Sequence, residues 1–250
     1  MPTSAPGRAR RVAVAMAAAV LAVALAVLLV DSARSDDLDW SKPHPRPHAE
    51  GRLAAGFHAP DVHRFYSSQV VEPDPGTWTD VRPSSDYRVL VLAAGKDGHT
   101  PRDPQVGFLV DAVKKWAKAE HRVELKVQYL SDPHLFIQEL DDAARKDHAD
   151  LIVTAGNSLV DPVAVVSANY AGEKPQQFLV LGAEVAEPTT NIAATDWTGS
   201  AYLGEGLDES LYYDPAAVTA PRAYAALRAG VAAVLSGYTS VIVRIPADRY

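Results

Sequence analysis

The chain has 250 residues, a formal net charge of −7 and no cysteine. An acidic balance argues against a nucleic-acid partner and against electrostatic docking on anionic lipid. Without cysteine there is neither a disulfide nor a cysteine-linked lipid anchor, so any folded part is held by burial alone.

The first element is a run of nineteen residues, Val12 to Val30, with no polar side chain. Arg8, Arg10 and Arg11 precede it, and Asp31, Asp36, Asp37 and Asp39 follow. A helix rising roughly 1.5 Å per residue spans a hydrocarbon core of about 30 Å over that length. The positive-inside bias places residues 1–11 in the cytoplasm and everything from Asp31 outside. The run exceeds the about 7 to 15 apolar residues of a cleaved signal, and Ser32 to Ser35 is a poor cleavage site. The expectation is a single-pass anchor at residues 12–30 in the cell membrane. Cleavage near Ser32 to Ser35, the alternative, would give a secreted protein. The external part carries 21 basic against 31 acidic residues.

Residues 31–86 show no sustained apolar period and read as a Pro-rich extracytoplasmic spacer. Lys42 to His48 alternates proline and is extended, in the polyproline manner. Phe57, Val62, Phe65, Tyr66, Val70, Val71 and Trp78 are too apolar for a solvated linker, so residues beyond about 52 are expected to drape on the domain. His44, His48, His58 and His63 lack a carboxylate at ligand spacing and read as solvated tether histidines, not a metal site.

An α/β domain then occupies residues 87–250. Arg88 to Ala94, apolar without interruption from Val89 on, has the pattern of a strand buried on both faces. Asp103 caps a helix opened by Pro104, with Val106, Leu109, Val110, Val113 and Trp116 on one stripe. Val123 to Tyr129 alternates with period two and reads as an edge strand. Asp132 and Pro133 open a second helix carrying Ile137, Leu140 and Ala144. Leu151 to Ala155 is a third strand. Asp161 and Pro162 open a helix with Val163, Val166 and Tyr170 inward. Phe178 to Gly182 and Asn191 to Thr195 are the fourth and fifth strands. Thr219 caps a last helix with Tyr224, Leu227, Val231 and Val234 inward, and Thr239 to Ile245 is the last strand. Alternating strands and helices predict a parallel sheet with right-handed crossovers. The half-exposed second strand gives the flavodoxin-like order 2-1-3-4-5.

Ligands of such sheets bind outside the carboxyl ends of the strands. The loops there offer Asp97 and His99 after the first strand, Asn157 and Ser158 after the third, Glu184 after the fourth, and Asp196 and Trp197 after the fifth. These seven are the candidate ligand-binding residues. Asn157 is the foremost, because its amide both donates and accepts beside the start of a helix. Asp97, Glu184 and Asp196 would form an acidic rim that favours a neutral or cationic solute over a phosphate. No nucleophile elbow, P-loop or dinucleotide fingerprint is present. No catalytic residue, cofactor or metal is expected.

The segments Asp150-Leu151-Ile152-Val153-Thr154-Ala155-Gly156, Asp161-Pro162-Val163-Ala164, Phe178-Leu179-Val180-Leu181-Gly182 and Asn191-Ile192-Ala193-Ala194 together resemble the basic membrane protein (BMP) family. These are type I periplasmic-binding-like receptors of ABC importers, many of them nucleoside binders. The resemblance spans Tyr87 to Gly204. It implies a nucleoside-like solute and an ABC permease or other envelope protein as partner. The family's first loop typically reads Asp-Asp-x-Ser-Phe-Asn; here Lys96-Asp97-Gly98-His99-Thr100-Pro101 stands there, and only Asp97 corresponds. Family members clamp ligand between two lobes. This chain has length for one lobe, similar to short membrane-tethered BMP-like proteins of actinobacteria. The expected function is therefore a membrane-anchored solute-binding or sensing domain, degenerate in ligand binding. A non-catalytic protein-interaction module is the alternative, with Glu184 to Pro188 and Trp197 as its interface. A hydrolase using Asp97, His99 and Asp196 is the third reading.

Overall fold

The structure is a computed structural model that describes residues 39–58, 67–200 and 213–250. In chain order its elements are β1 (Ala49–Glu50), β2 (Gln69–Val71), β3 (Arg82–Pro83), β4 (Tyr87–Ala94), α1 (Pro104–Glu120), β5 (Val123–Leu130), α2 (Phe136–Lys146), β6 (Leu151–Ala155), α3 (Val160–Ala168), β7 (Gln177–Leu181), β8 (Ile192–Asp196), α4 (Ala220–Leu235) and β9 (Val241–Arg244). The apolar run at residues 12–30 and His63 lie outside the described residues. No helix among the described residues is long and apolar enough to cross a membrane.

Seven strands form one parallel sheet in the order β2-β9-β8-β7-β6-β4-β5. Its first five domain strands stand in the expected 2-1-3-4-5 arrangement. β4 is buried at every position, as a strand covered on both faces must be. β5 at the edge is mostly half-buried. Beyond the expected strands lies β2, a three-residue piece that pairs in parallel with β9, Val70 opposite Ile242.

Helices cover both faces. One layer packs α1 and α4 against the sheet, with Trp116, Leu227 and Val231 fully buried. Phe57, Trp78 and Val81 complete that layer. The other packs Phe136 and Leu140 of α2 and Val163 and Val166 of α3 over Ile152 and Val180. Each burial of a large aliphatic chain contributes roughly 1.5–3 kcal/mol. α4 lies so close to the sheet that a Cβ on Gly230 would stand 2.5 Å from Thr195 Cγ2 and 2.7 Å from Leu179 Cδ1. Glycine is what lets helix and sheet approach there.

The compact unit begins at Trp40, so the described part of residues 31–86 belongs to it rather than to a spacer. β1 pairs antiparallel with β3. Three of the histidines read as solvated have partners in the fold. His44 Nε2 lies 3.1 Å from Asp150 Oδ2, His48 Nδ1 3.1 Å from Ser84 Oγ, and His58 Nε2 3.3 Å from the Tyr238 hydroxyl. Arg88 and Arg46 anchor the same strap by donating to Lys42 O at 2.8 Å and Pro175 O at 2.9 Å.

Two helix registers differ from the periodic reading. Residues 133–135 form a 3₁₀ turn, with Asp132 Oδ1 accepting from His134 N at 3.0 Å. Three residues per turn instead of 3.6 shifts the phase of the helix that follows. Phe136, Leu140 and Ala143 therefore point inward, and Ile137 is 50% exposed. Likewise the turn at Asn157–Leu159 starts its helix early, so Asp161 and Pro162 sit in the first turn of α3 instead of opening it.

Candidate functional site

The connection from β4 runs to the edge strand β5, and the connection from β5 returns to β6 on the other side of β4. That reversal is the switch point at which open parallel sheets bind ligands, outside the strands' carboxyl ends. The sequence builds a cleft beside it. Asp103 caps α1 by accepting from Val106 N at 3.0 Å, and Pro104 occupies the first turn. This brings the first turns of α1 over the end of the sheet. After β6 the chain turns through Gly156 at φ +78°, where a Cβ would stand 3.3 Å from Val106 Cγ2. Asn157 and Ser158 follow at once.

The cleft has a volume of about 190 Å³. Its apolar floor is Val106, Leu109 and Val218, and its polar groups are Asp103, Gln105, Asn157, Ser158, Ser200 and Tyr213. Asn157 Oδ1 is buried and accepts no hydrogen bond from the described residues. A buried amide oxygen left unpaired costs about 1–3 kcal/mol, so such atoms are exceptional in folded proteins. Burial first, then the carboxylates of Asp103 and Asp214, hold the Tyr213 phenol above its ordinary range. It therefore stays a neutral hydroxyl at physiological pH.

Of the seven residues expected at the site, the structure brings only Asn157 and Ser158 to this cleft. Asp97 is exposed, and its Oδ1 is spent within its own loop. It accepts from His99 N at 3.1 Å, Thr100 N at 2.9 Å and Thr100 Oγ1 at 2.8 Å. Those bonds hold its carboxyl below the usual carboxylate range. His99 is exposed beside it. Trp197 is a core residue, 1% exposed, donating from Nε1 to Ala217 O at 2.8 Å.

Glu184 and Asp196 converge on a residue the sequence reading left out. Parallel register sets Asp196 of β8 beside Arg244 of β9. Arg244 donates from Nε to Asp196 Oδ2 at 3.1 Å and from Nη2 to the same oxygen at 2.8 Å. Its Nη2 also bonds Glu184 Oε1. Asp196 is 3% exposed. Burial, and then the neighbouring Glu184 carboxyl, push its pKa up to about 8 against the pull of Arg244. Two carboxyls and one guanidinium therefore hold a proton between them at neutral pH. Asp97 and Asp196 thus serve different partners and form no acid–base unit with His99. Asp103, Tyr213 and Arg244 were missed. Asp103 read only as a cap, and Arg244 only as a residue within the last strand.

A larger cavity, about 830 Å³, lies at the opposite end of the sheet between the strap and the loops before β6 and β7. Most of its central polar groups lie against one another: Asp150 Oδ2 accepts from Arg88 N at 2.9 Å and stands 3.1 Å from His44 Nε2, which is itself without a hydrogen bond among the described residues, and Arg46 donates to Pro175 O. The smaller cleft, with its unpaired amide at the carboxyl ends, is the better candidate. Among the described residues no cluster of three or more His, Asp or Glu is placed to hold a metal ion.

No protein-family model matches this chain, and no curated protein matches it. Among solved structures, it is similar over 45% of its length to an ABC transporter solute-binding protein from Aeropyrum pernix K1, with 23% identity and a TM-score of 0.36. An ABC transporter solute-binding protein from Conexibacter woesei DSM 14684 overlaps the same share, with 15% identity and a TM-score of 0.34. The overlaps span 29% and 35% of those two chains. Likenesses of that size carry nothing about the ligand of this chain.

Proposed function

We propose that this chain is a non-catalytic, extracytoplasmic solute-binding or sensing module of the BMP type, tethered to the cell membrane through residues 12–30. The observation that carries the reading is Asn157. Its side-chain oxygen is buried without an acceptor's partner, in a cleft at the carboxyl ends of parallel strands. Folded chains rarely leave such a group unpaired unless something else completes it. The anchor rests on the apolar run and its arginine flank, the family on the segments between Tyr87 and Gly204. An ABC permease or another envelope protein is the partner this reading implies.

The cleft, at about 190 Å³, is smaller than the about 300–1,000 Å³ of pockets that enclose drug-sized ligands, so contact with a ligand there is partial. A thermal-shift screen of nucleosides, amino compounds and polyols tests the reading, since a ligand that binds the native state raises the melting temperature by mass action. A saturable rise that Asn157→Ala abolishes supports it. No shift with any solute overturns it.

The interaction-module reading keeps one specific observation. Leu135 and Ile137, in the loop and helix after the edge strand, are 41% and 50% exposed. Charged substitutions at both positions would then abolish capture of an envelope partner and leave every solute titration unchanged.

A further inference from the structure

We propose that the cleft at the ends of β6 and β7 selects a compact protonated amine, held by Asp103 and Asn157. This deepens the solute-binding reading and rests on it. The argument begins with which atoms of the cleft are already used. Asp103 Oδ1 is committed to Val106 N as the cap of α1. No donor among the described residues holds its other oxygen, and the residue lines the cleft. Asn157 Oδ1, in the same cleft, is the buried acceptor without a partner. Tyr213 and Ser158 add hydroxyls, which complete whichever bond is offered. No Lys, Arg or His is among the described lining residues. Two acceptors, one of them charged, therefore belong to this cleft with no cation among the described residues to answer them.

A ligand that satisfies both must bring donors and positive charge. A carboxylate or phosphate would meet the Asp103 carboxylate at close range, and like charges disfavour each other there. A protonated primary amine brings three donors and one charge from a single small group. Size points the same way. At about 30 Å³ per water, 190 Å³ is the space of about six waters. That admits an amine on a short carbon chain, whose methylenes would lie on Val106, Leu109 and Val218, and leaves most of a nucleoside outside. The selection differs from the acidic rim expected at Asp97, Glu184 and Asp196, none of which lines the cleft.

Three four-carbon probes test this on the full chain. Putrescine, 1,4-butanediol and succinate present ammonium, hydroxyl and carboxylate groups on the same carbon skeleton. Butylamine and adenosine complete the set. Calorimetric titration should show saturable binding of putrescine and butylamine. Butanediol should bind at least about tenfold more weakly, the worth of one charge-assisted hydrogen bond, and succinate should not bind. Asp103→Asn keeps a good helix cap, so the ligand-free melting temperature should move by no more than about 2 °C. The same variant should weaken the amines about tenfold and leave butanediol unchanged. If butanediol or succinate binds as tightly as putrescine, or Asp103→Asn leaves the amines unaffected, the selection is overturned. Adenosine binding without amine binding overturns it too, while the solute-binding reading stands. Silence from every probe and from the wider screen overturns both.

Discussion

Two neighbouring stretches of the same sheet edge treat their polar groups in opposite ways. At the ends of β6 and β7, Asn157 Oδ1 and the Asp103 oxygen that does not cap α1 have no partner among the described residues. At the ends of β8 and β9, Asp196, Glu184 and Arg244 satisfy one another. Both stretches carry polar side chains at or just past the carboxyl ends of strands, so by position alone both are candidates for a ligand. What separates them is hydrogen-bond accounting. A group that is already paired has spent its free energy on the fold, whereas a buried unpaired acceptor has a debt that only something outside the chain settles. On the proposed reading the first stretch serves binding and the second serves stability, and each half of that reading can be broken.

The largest expected effect is on the pH dependence of stability, and it belongs to the second stretch. The Asp196 carboxyl titrates near 8 in the folded protein and near 3.9 when unfolded. Between those values the folded state holds a proton that the unfolded state has released. Its contribution to stability is therefore fully present below about pH 4 and is lost as pH rises through about 8. The slope approaches that of one proton, about 1.4 kcal/mol per pH unit. Denaturant unfolding of the parent and of Asp196→Asn between pH 5 and 9 checks this. The variant should lose the decline. Parallel curves for the two proteins would show that the Arg244 cluster holds no proton.

Removing the cation comes next. Arg244→Ala leaves two carboxyls facing each other, and the proton already present limits the damage. The guanidinium is also one-third exposed, at 33%. The expected cost at pH 7 is about 2 kcal/mol, below the usual cost of stranding a fully buried charge. It should grow as pH rises toward 9. Solute binding at the other stretch should be unaffected.

Trp197 probes whether a residue in a carboxyl-end loop can be purely structural. Trp197→Phe removes the hydrogen bond from Nε1 to Ala217 O and part of a fully buried ring. The loss should be about 1–2 kcal/mol, with any solute affinity unchanged.

How much of this was legible in the sequence depends on length of signal. The sheet order was readable because β4 and β6 are continuous apolar runs and Val123 to Tyr129 alternates. β2 was not, since three residues carry no period. Phe57, Trp78 and Val81 enter the core from irregular backbone among prolines, where no periodicity marks them. Ile137 was misplaced because a 3₁₀ turn rotated its helix, and the Asp132-Pro133 pair fits either kind of turn. At the site, Asn157 and Ser158 could be located from their place after Gly156 at a strand end. The Arg244 partnership could not, because it needs the register of β8 against β9, which joins residues 48 positions apart.

The smallest expected effect on stability is also the sharpest test of the comparison. Asn157→Ala removes a side chain whose Oδ1 pairs with nothing among the described residues. If that atom only served the fold, as a helix-starting cap would, its loss should cost about 0.5–2 kcal/mol. No side-chain cap bond is formed at the start of that turn, so the cap role has no bond to lose. Truncation also deletes a buried unpaired acceptor, which is a gain for the folded state. The two small terms leave a net change within about 0.5 kcal/mol, the range of ordinary surface substitutions. Urea unfolding of the ligand-free variant measures it. A loss above about 1.5 kcal/mol would mean that Asn157, like Asp196, is spent on the fold, and the difference between the two stretches would disappear.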